Sequence, residues 1–272
     1  MASSIDFYLR NLASSYYLKN NSIEVEKISN SISNLLSNLD KELGILIKRR
    51  FIFGSYDRDT ILPRSIDKYS DVDIMVVFNH TDYEREPETY RNWLKNFADK
   101  YYKDRYGSEV IKSHPTVTIR LNSIHYDLVP AKEITYAYSS PELYIPSKIT
   151  GWQITDPNDV KSKLTIANTQ YNNVVRPIIR LLKAWNCFND YPYDSYKLEL
   201  EITTMNFYGD TVQKGFFYAA GKLASSLSIT DSQIRRAKVQ SLVYNINEAN
   251  NALERDDPDT AKRWIHRILP TV

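Results

Sequence analysis

Cysteine is almost absent from this sequence. Cys187 is the only one in 272 residues, which excludes an internal disulfide and any multi-cysteine zinc site. Histidine is scarce as well, and no two of His80, His114, His125 and His266 lie at metal-ligand spacing. A metal used by this chain would therefore take carboxylate oxygens, which suits a hard ion such as magnesium or manganese. Neither sign of charge is in excess, with 35 basic against 33 acidic residues and a formal charge of +2. Coating nucleic acid by counterion release needs a dense basic surface, so that class is excluded as the main task. A local basic pocket for small anions remains compatible with the balance. No stretch approaches the roughly 18 apolar residues that span a bilayer, and the first ten residues lack a signal-peptide run. The expectation is a cytoplasmic protein without a membrane partner. Apolar residues still make up 42% of the chain, enough for the core of one large domain or two packed lobes.

Two amphipathic helices open the sequence. Ile5, Tyr8, Leu9, Leu12 and Tyr16 recur at helical spacing over residues 5–18. A longer helix is predicted from Asn21, where Asn21 and Glu24 have capping-box spacing. Its stripe runs Ile28, Ile32, Leu35, Leu36, Leu39, Leu43, Leu46, with Gly44 not interrupting it. Residues 50–53 read as a short strand entering Gly54-Ser55, followed by a polar loop over residues 56–70 that Pro63 keeps irregular. Asp71-Val-Asp-Ile-Met-Val-Val-Phe78 is the clearest strand, nearly continuous in apolar residues as when both faces are covered. Pro87 begins a helix that carries Tyr90, Trp93, Leu94, Phe97 and Tyr101 towards Gly107. Residues 116–121 and 124–129 read as a hairpin about Asn122-Ser123, ended by Pro130. Beyond Asp156-Pro157 the pattern is helical throughout, near 157–168, 171–189, 195–207, 211–226, 231–254 and 259–268, with Pro177 starting, kinking or interrupting the second. Sheet-forming sequence is thus expected only in the first 150 residues. The division it implies is a core over 1–155, braced by amino-terminal helices, and a helical lobe over 156–272.

Three aspartates carry the chemical signal. Asp71 and Asp73 are two apart in a strand, so they share a face about 6.6–6.8 Å apart at Cα. Their carboxylates are placed to converge on cations, and without a cation they repel. Taken alone, such a pair is also a common solvated strand start. Asp127 lies in the apolar context His-Tyr-Asp-Leu-Val-Pro-Ala, where burial without a partner is costly. Its partner is either an ion pair, for instance Arg120 across the hairpin, or a metal shared with Asp71 and Asp73, which accounts for all three acids together. Gly54-Ser55 suits a tight turn in which backbone amides and a hydroxyl approach a phosphate, although a Gly-Ser pair by itself is an ordinary turn. His125 lies beside these acids, and Asn168, Asn172 and Asn173 are candidates for reading a base edge.

Gly54-Ser55, Asp71-x-Asp73 and Asp127 in a later strand together resemble the signature of polymerase-β-like nucleotidyltransferases. Gly54-Ser-Tyr-Asp-Arg-Asp-Thr-Ile-Leu-Pro63 followed by Ser70-Asp-Val-Asp-Ile-Met75 is most similar to the bacterial cyclic-oligonucleotide synthases of anti-phage signalling, relatives of cyclic GMP–AMP synthase. Arg180-Leu-Leu-Lys-Ala-Trp-Asn186 and Asp194-Ser-Tyr-Lys-Leu-Glu199 are similar to that family's two helical segments at the donor triphosphate. The resemblance implies an α+β fold: a nucleotidyltransferase core with a mixed sheet plus a helical carboxy-terminal lobe, and a central cleft between them. It implies two Mg2+ or Mn2+ ions on Asp71, Asp73 and Asp127, with Asp127 helping to deprotonate the attacking ribose hydroxyl. Gly54 and Ser55 would hold the triphosphate, Lys183 and Ser195 its outer phosphates, and Tyr196 a base. Read without the family, Lys183 is an ordinary helix lysine and Ser195 a helix N-cap. One departure is Asp59, where many relatives have glycine.

The partners implied are ribonucleoside triphosphates (ATP, UTP, GTP or CTP) and an effector that reads a cyclic di- or trinucleotide, with no obligatory long nucleic acid. Rival readings within the superfamily are a linear RNA-tailing enzyme and one that nucleotidylates a protein or small molecule. From another class comes a catalytically inactive nucleotide sensor, which the complete acid triad disfavours. A non-enzymatic helical scaffold leaves the three strand aspartates without a reason.

Overall fold

A computed structural model of the chain describes residues 3–80, 83–137 and 140–271. Helices α1 (Asp6–Ser15) and α2 (Ser22–Leu43) come first, then strand β1 (Ile47–Phe53), the single turn α3 (Gly54–Asp57) and β2 (Asp71–Phe78). Helix α4 (Pro87–Ala98) widens over Asp99–Lys103 and continues into α5 (Asp104–Tyr106). Strands β3 (Glu109–Ile111), β4 (Val117–Arg120), β5 (His125–Ile134), β6 (Glu142–Ser147) and β7 (Gly151–Thr155) follow. The rest is helical: α6 (Pro157–Gln170), α7 (Val175–Phe188), α8 (Ser195–Thr203), α9 (Val212–Ser225), α10 (Gln233–Glu254) and α11 (Pro258–His266).

The chain falls into two compact units, neither continuous in sequence. One holds Asn21–Asp59 and Tyr69–Lys161; the other holds the chain up to Asn20, Thr60–Lys68, and the chain from Ser162 onward. This differs from a single division at 155/156. The reason lies in side chains: Leu9 and Ala13 of α1, its flanking residues Ile5 and Tyr16, and Leu62 of the loop are buried in one apolar cluster with Val175, Ile178, Leu181, Leu182 and Trp185 of α7.

In the sheet unit the strands run β1-β2-β5-β4-β3, with β6 and β7 continuing from β5. β2 pairs antiparallel with β1 and parallel with β5, so the sheet is mixed. Val72, Ile74, Met75, Val76, Val77 and Phe78 are all fully buried, as a strand covered on both faces requires. Met75 and Val77 join Val129, Ala131 and Leu143 on one face. On the other, Phe78 stacks at 5.0 Å on Tyr90 of α4, and the Tyr126 hydroxyl donates to the Ile28 carbonyl of α2.

Several expectations need correction. Pro130 does not end its strand, because β5 exchanges one antiparallel neighbour for another there. Pairing with β4 stops at Leu128 and pairing with β6 starts at Lys132, so neither ladder requires an N–H at residue 130. Strands β3, β6 and β7 are additional to those read from the sequence, and β7 lies beyond residue 150. Gly44 does close α2, since one tighter turn, Gly44–Leu46, leads into β1. The Asn21 side chain caps α2 by accepting from the Glu24 amide, as predicted. Pro177 sits third in α7, within the first turn, where its missing N–H costs no helical bond.

In the helical unit the loop Thr60–Lys68 is held by polar contacts to α7, α8 and the connection between them. The Thr60 hydroxyl donates to Glu199 of α8 at 2.9 Å, the Tyr191 hydroxyl to Asp67 at 2.5 Å, and the Cys187 thiol to the Ile66 carbonyl. Glu199 is 1% exposed, and a buried carboxylate is tolerated only with such partners. Thr60→Val keeps the shape and removes the donor. The expected outcome is a loss of about 1.5–3 kcal/mol, the worth of a hydrogen bond to a charged group, read by urea unfolding. An unchanged midpoint would mean that Glu199 does not depend on Thr60.

Candidate active site

The site grows out of strand register. Asp73 lies directly opposite Asp127 in the parallel β2–β5 pair, and opposite Phe53 in the antiparallel β1–β2 pair. Asp71 is two residues back on the same face, opposite His125. That face is the one filled further along by Met75, Val77, Val129 and Ala131, so the acids form the polar end of an apolar surface. One carboxylate oxygen from each of Asp71, Asp73 and Asp127 lies within 4.8 Å of the others, and all three residues are half-buried. Among the described residues this is the one group of three or more side chains placed to share a metal ion. Its donors are hard oxygens, the set that magnesium or manganese takes, so the residues fit the ion expected.

Gly54 has a nearer reason than a phosphate. It follows Phe53 with φ +73°, and a Cβ there would lie 1.8 Å from Oδ2 of Asp73. The backbone and the Asp73 carboxylate occupy adjoining space, so only glycine lets β1 turn there. Ser55 follows in α3, whose Asp57 accepts from Lys161 of α6 at 2.8 Å. Asp59 has φ +64°, the left-handed conformation that glycine adopts freely and aspartate tolerates. The departure from glycine at this position therefore leaves the turn intact.

Asp127 is not ion-paired across the hairpin as one reading allowed. It lies opposite Thr118 in β4, whose hydroxyl donates to Oδ1 at 2.5 Å. Arg120 instead pairs with Glu109 at 3.0 Å. Burial pushes the Asp127 carboxyl above the usual carboxylate range, opposed by hydrogen bonds from Thr118 and Thr116 and by the charge of Arg120. A bound cation would oppose the same penalty.

The remaining predicted residues lie in the helical unit. Lys183 of α7 is buried, its Nζ 3.8 Å from Glu199. Ser195 is the first residue of α8, while the cap is Asp194, whose carboxylate accepts from the Lys197 amide. Tyr196 is half-exposed. The three asparagines take part in the chain reversal between α6 and α7. Asn172 and Asn173 have left-handed φ, and Asn168 is buried, accepting from the Arg176 amide and donating to Asn173.

Thr118 and Glu199 were not identified from sequence. For Thr118 a signal existed. A hairpin turning at Asn122-Ser123 sets Leu121 against Ile124, and stepping back along both strands sets Thr118 against Asp127.

Gly54→Ala tests the packing at the acids. The methyl must displace Asp73, so nucleotide transfer is expected to fall at least as far as in Asp73→Ala, while circular dichroism shows the fold retained. Transfer at the wild-type rate would mean that Asp73 has room to move.

No curated protein matches the sequence. Solved structures do, at low identity. The chain is similar to Bradyrhizobium diazoefficiens CdnG in complex with GTP at 11% identity and TM-score 0.69, with 98% of this chain and 99% of that one covered. It is similar to Escherichia coli MS115-1 CdnC with ATP at 13% and 0.67, covering 97% of each chain. It is also similar to the Vibrio cholerae cyclic AMP-GMP synthase DncV, bound to the linear intermediate 5′ pppA(3′,5′)pG, at 14% and 0.66, covering all of this chain and 82% of that one. These likenesses show a shared polymerase-β-like fold. The family model of the Second Messenger Oligonucleotide or Dinucleotide Synthetase domain matches residues 4–168. That span is more than half of the sequence and contains Gly54, Ser55 and all three acids, so the chain belongs to this family of nucleotidyltransferases.

Proposed function

We propose that the protein joins ribonucleoside triphosphates into a cyclic di- or trinucleotide that serves as a second messenger in bacterial anti-phage defence. The observation that carries this is the convergence of Asp71, Asp73 and Asp127 to within 4.8 Å beside Gly54, in a chain of a second-messenger synthetase family. Magnesium or manganese, two ions per site on these carboxylates, supplies the positive charge that phosphoryl transfer requires. Asp127 assists removal of the proton from a ribose hydroxyl. That oxygen bonds to the α-phosphorus of a second triphosphate as the bond to pyrophosphate breaks. Gly54 and Ser55 seat the triphosphate. The same reading assigns Lys183 and Ser195 to its outer phosphates and Tyr196 to a base. Nζ of Lys183 lies 3.8 Å from Glu199, and in this reading a phosphate oxygen competes with that carboxylate for it. The CdnG, CdnC and DncV structures with GTP, ATP and a linear dinucleotide intermediate support nucleotides as substrates.

Ring closure is favoured over tailing on charge. Holding a long anionic strand needs a basic track, whereas the formal charge is +2 and acids such as Glu201, Asp210, Glu254 and Asp256 are spread through the helical unit. A linear dinucleotide instead turns round, and its own free hydroxyl attacks the α-phosphorus of its remaining triphosphate, releasing a second pyrophosphate. The test is incubation of purified protein with all four labelled ribonucleoside triphosphates and Mg2+ or Mn2+, followed by phosphatase and mass spectrometry. The expected product is phosphatase-resistant, and Asp73→Asn lowers its rate by several orders of magnitude while leaving the fold intact. Phosphatase-sensitive chains that lengthen with time would replace this reading with the tailing enzyme.

A further inference from the structure

We infer that Thr118 is a positioning residue of the acid cluster, one that fixes the Asp127 carboxylate so that it faces Asp71 and Asp73. The inference rests on the metal-site reading above and adds to it a side chain in a different strand.

The packing of β4 gives Thr118 no other task of comparable weight. Its neighbours Val117 and Ile119 are fully buried and belong to the core face, so Thr118 lies on the opposite face of the strand. A β-branched residue suits a strand, but valine would meet that need equally, and only the hydroxyl distinguishes threonine. The hydroxyl donates to Oδ1 of Asp127 at 2.5 Å, from the residue directly across the antiparallel pair. Arg120, two residues along the same face, is engaged with Glu109.

The consequence is orientational. The terminal torsion of an aspartate is broad, so a carboxylate on a fixed strand still samples many rotations about its last bond. Thr118 selects one of them. Asp127 is thereby set with one oxygen engaged by the neighbouring strand, within a cluster whose members lie no more than 4.8 Å apart. Partners of this kind, which hold a ligand without touching the ion, typically contribute about 10–100-fold to metal affinity.

Mn2+ binding provides a readout independent of turnover. Free Mn2+ is followed by electron paramagnetic resonance during titration of wild type, Thr118→Val, Thr118→Ser and Asp127→Asn, each with a non-hydrolysable ATP analogue present. Thr118→Val is expected to weaken Mn2+ binding by about 10–100-fold, and Thr118→Ser, which keeps the hydroxyl, to stay within a few-fold of wild type. In steady state, Thr118→Val should need correspondingly more Mn2+ for half-maximal rate and recover turnover at saturating metal. Thr118→Ala carries the same expectation without the valine methyl, should the valine variant not fold. Wild-type affinity in Thr118→Val and Thr118→Ala, with affinity lost in Asp127→Asn, overturns the inference and leaves the acid cluster standing. Unchanged affinity in Asp127→Asn as well overturns both.

Discussion

Three carboxylates are held together at one end of the sheet unit. At the separation of Asp71, Asp73 and Asp127, each pair of ionised carboxylates repels by about 3.5 kcal/mol at an effective dielectric near 20. A flexible segment would relieve that by moving apart. Here each acid is fixed by strand pairing: β2 is clamped between β1 and β5, and its residues from Ile74 to Phe78 are fully buried. The apolar run holds the acids in place, and the acids in turn dictate Gly54, because the Asp73 carboxylate fills the space a side chain would need. Three carboxylate oxygens framed this rigidly are a donor set that a hard cation fits.

The helical unit shows a related economy in its polar core. Glu199, Thr60, Asp67 and Tyr191 are spent on holding Thr60–Lys68, a segment that joins the Gly54-Ser55 turn to the Asp71-x-Asp73 strand in sequence. The loop between these two elements is therefore an ordered part of a helical core, with Ile61 and Leu62 buried. This also explains why the two units interleave in sequence: the chain leaves the sheet after Asp59 and returns at Tyr69.

How much of this was legible in the sequence depended on whether the signal was local. Helix periods, the Asn21 cap and the apolar run of β2 depend on near neighbours, and the helices over 157–266 appear close to where their patterns place them. The face shared by Asp71 and Asp73 follows from strand geometry alone. The short strands β3, β6 and β7 left no clear pattern, since three to six residues on part-exposed positions carry little periodicity. Pro130 misled because its effect depends on which strand lies alongside, a tertiary fact. The assignment of α1 and Thr60–Lys68 to the helical unit is likewise a matter of which distant side chains they meet. The bearing of Thr118 on Asp127 was recoverable from hairpin arithmetic, whereas that of Thr60 on Glu199, 139 residues away, was not.

Nucleotide transfer, as proposed, depends on metal ions held by the three strand aspartates. The most direct test is a crystal structure with Mn2+ and a non-hydrolysable ribonucleoside triphosphate, with anomalous data collected near the manganese edge. Two anomalous peaks ligated by oxygens of Asp71, Asp73 and Asp127 are expected, with the triphosphate against Gly54 and Ser55. A bound triphosphate whose manganese lies away from these three carboxylates would contradict this role for the aspartates.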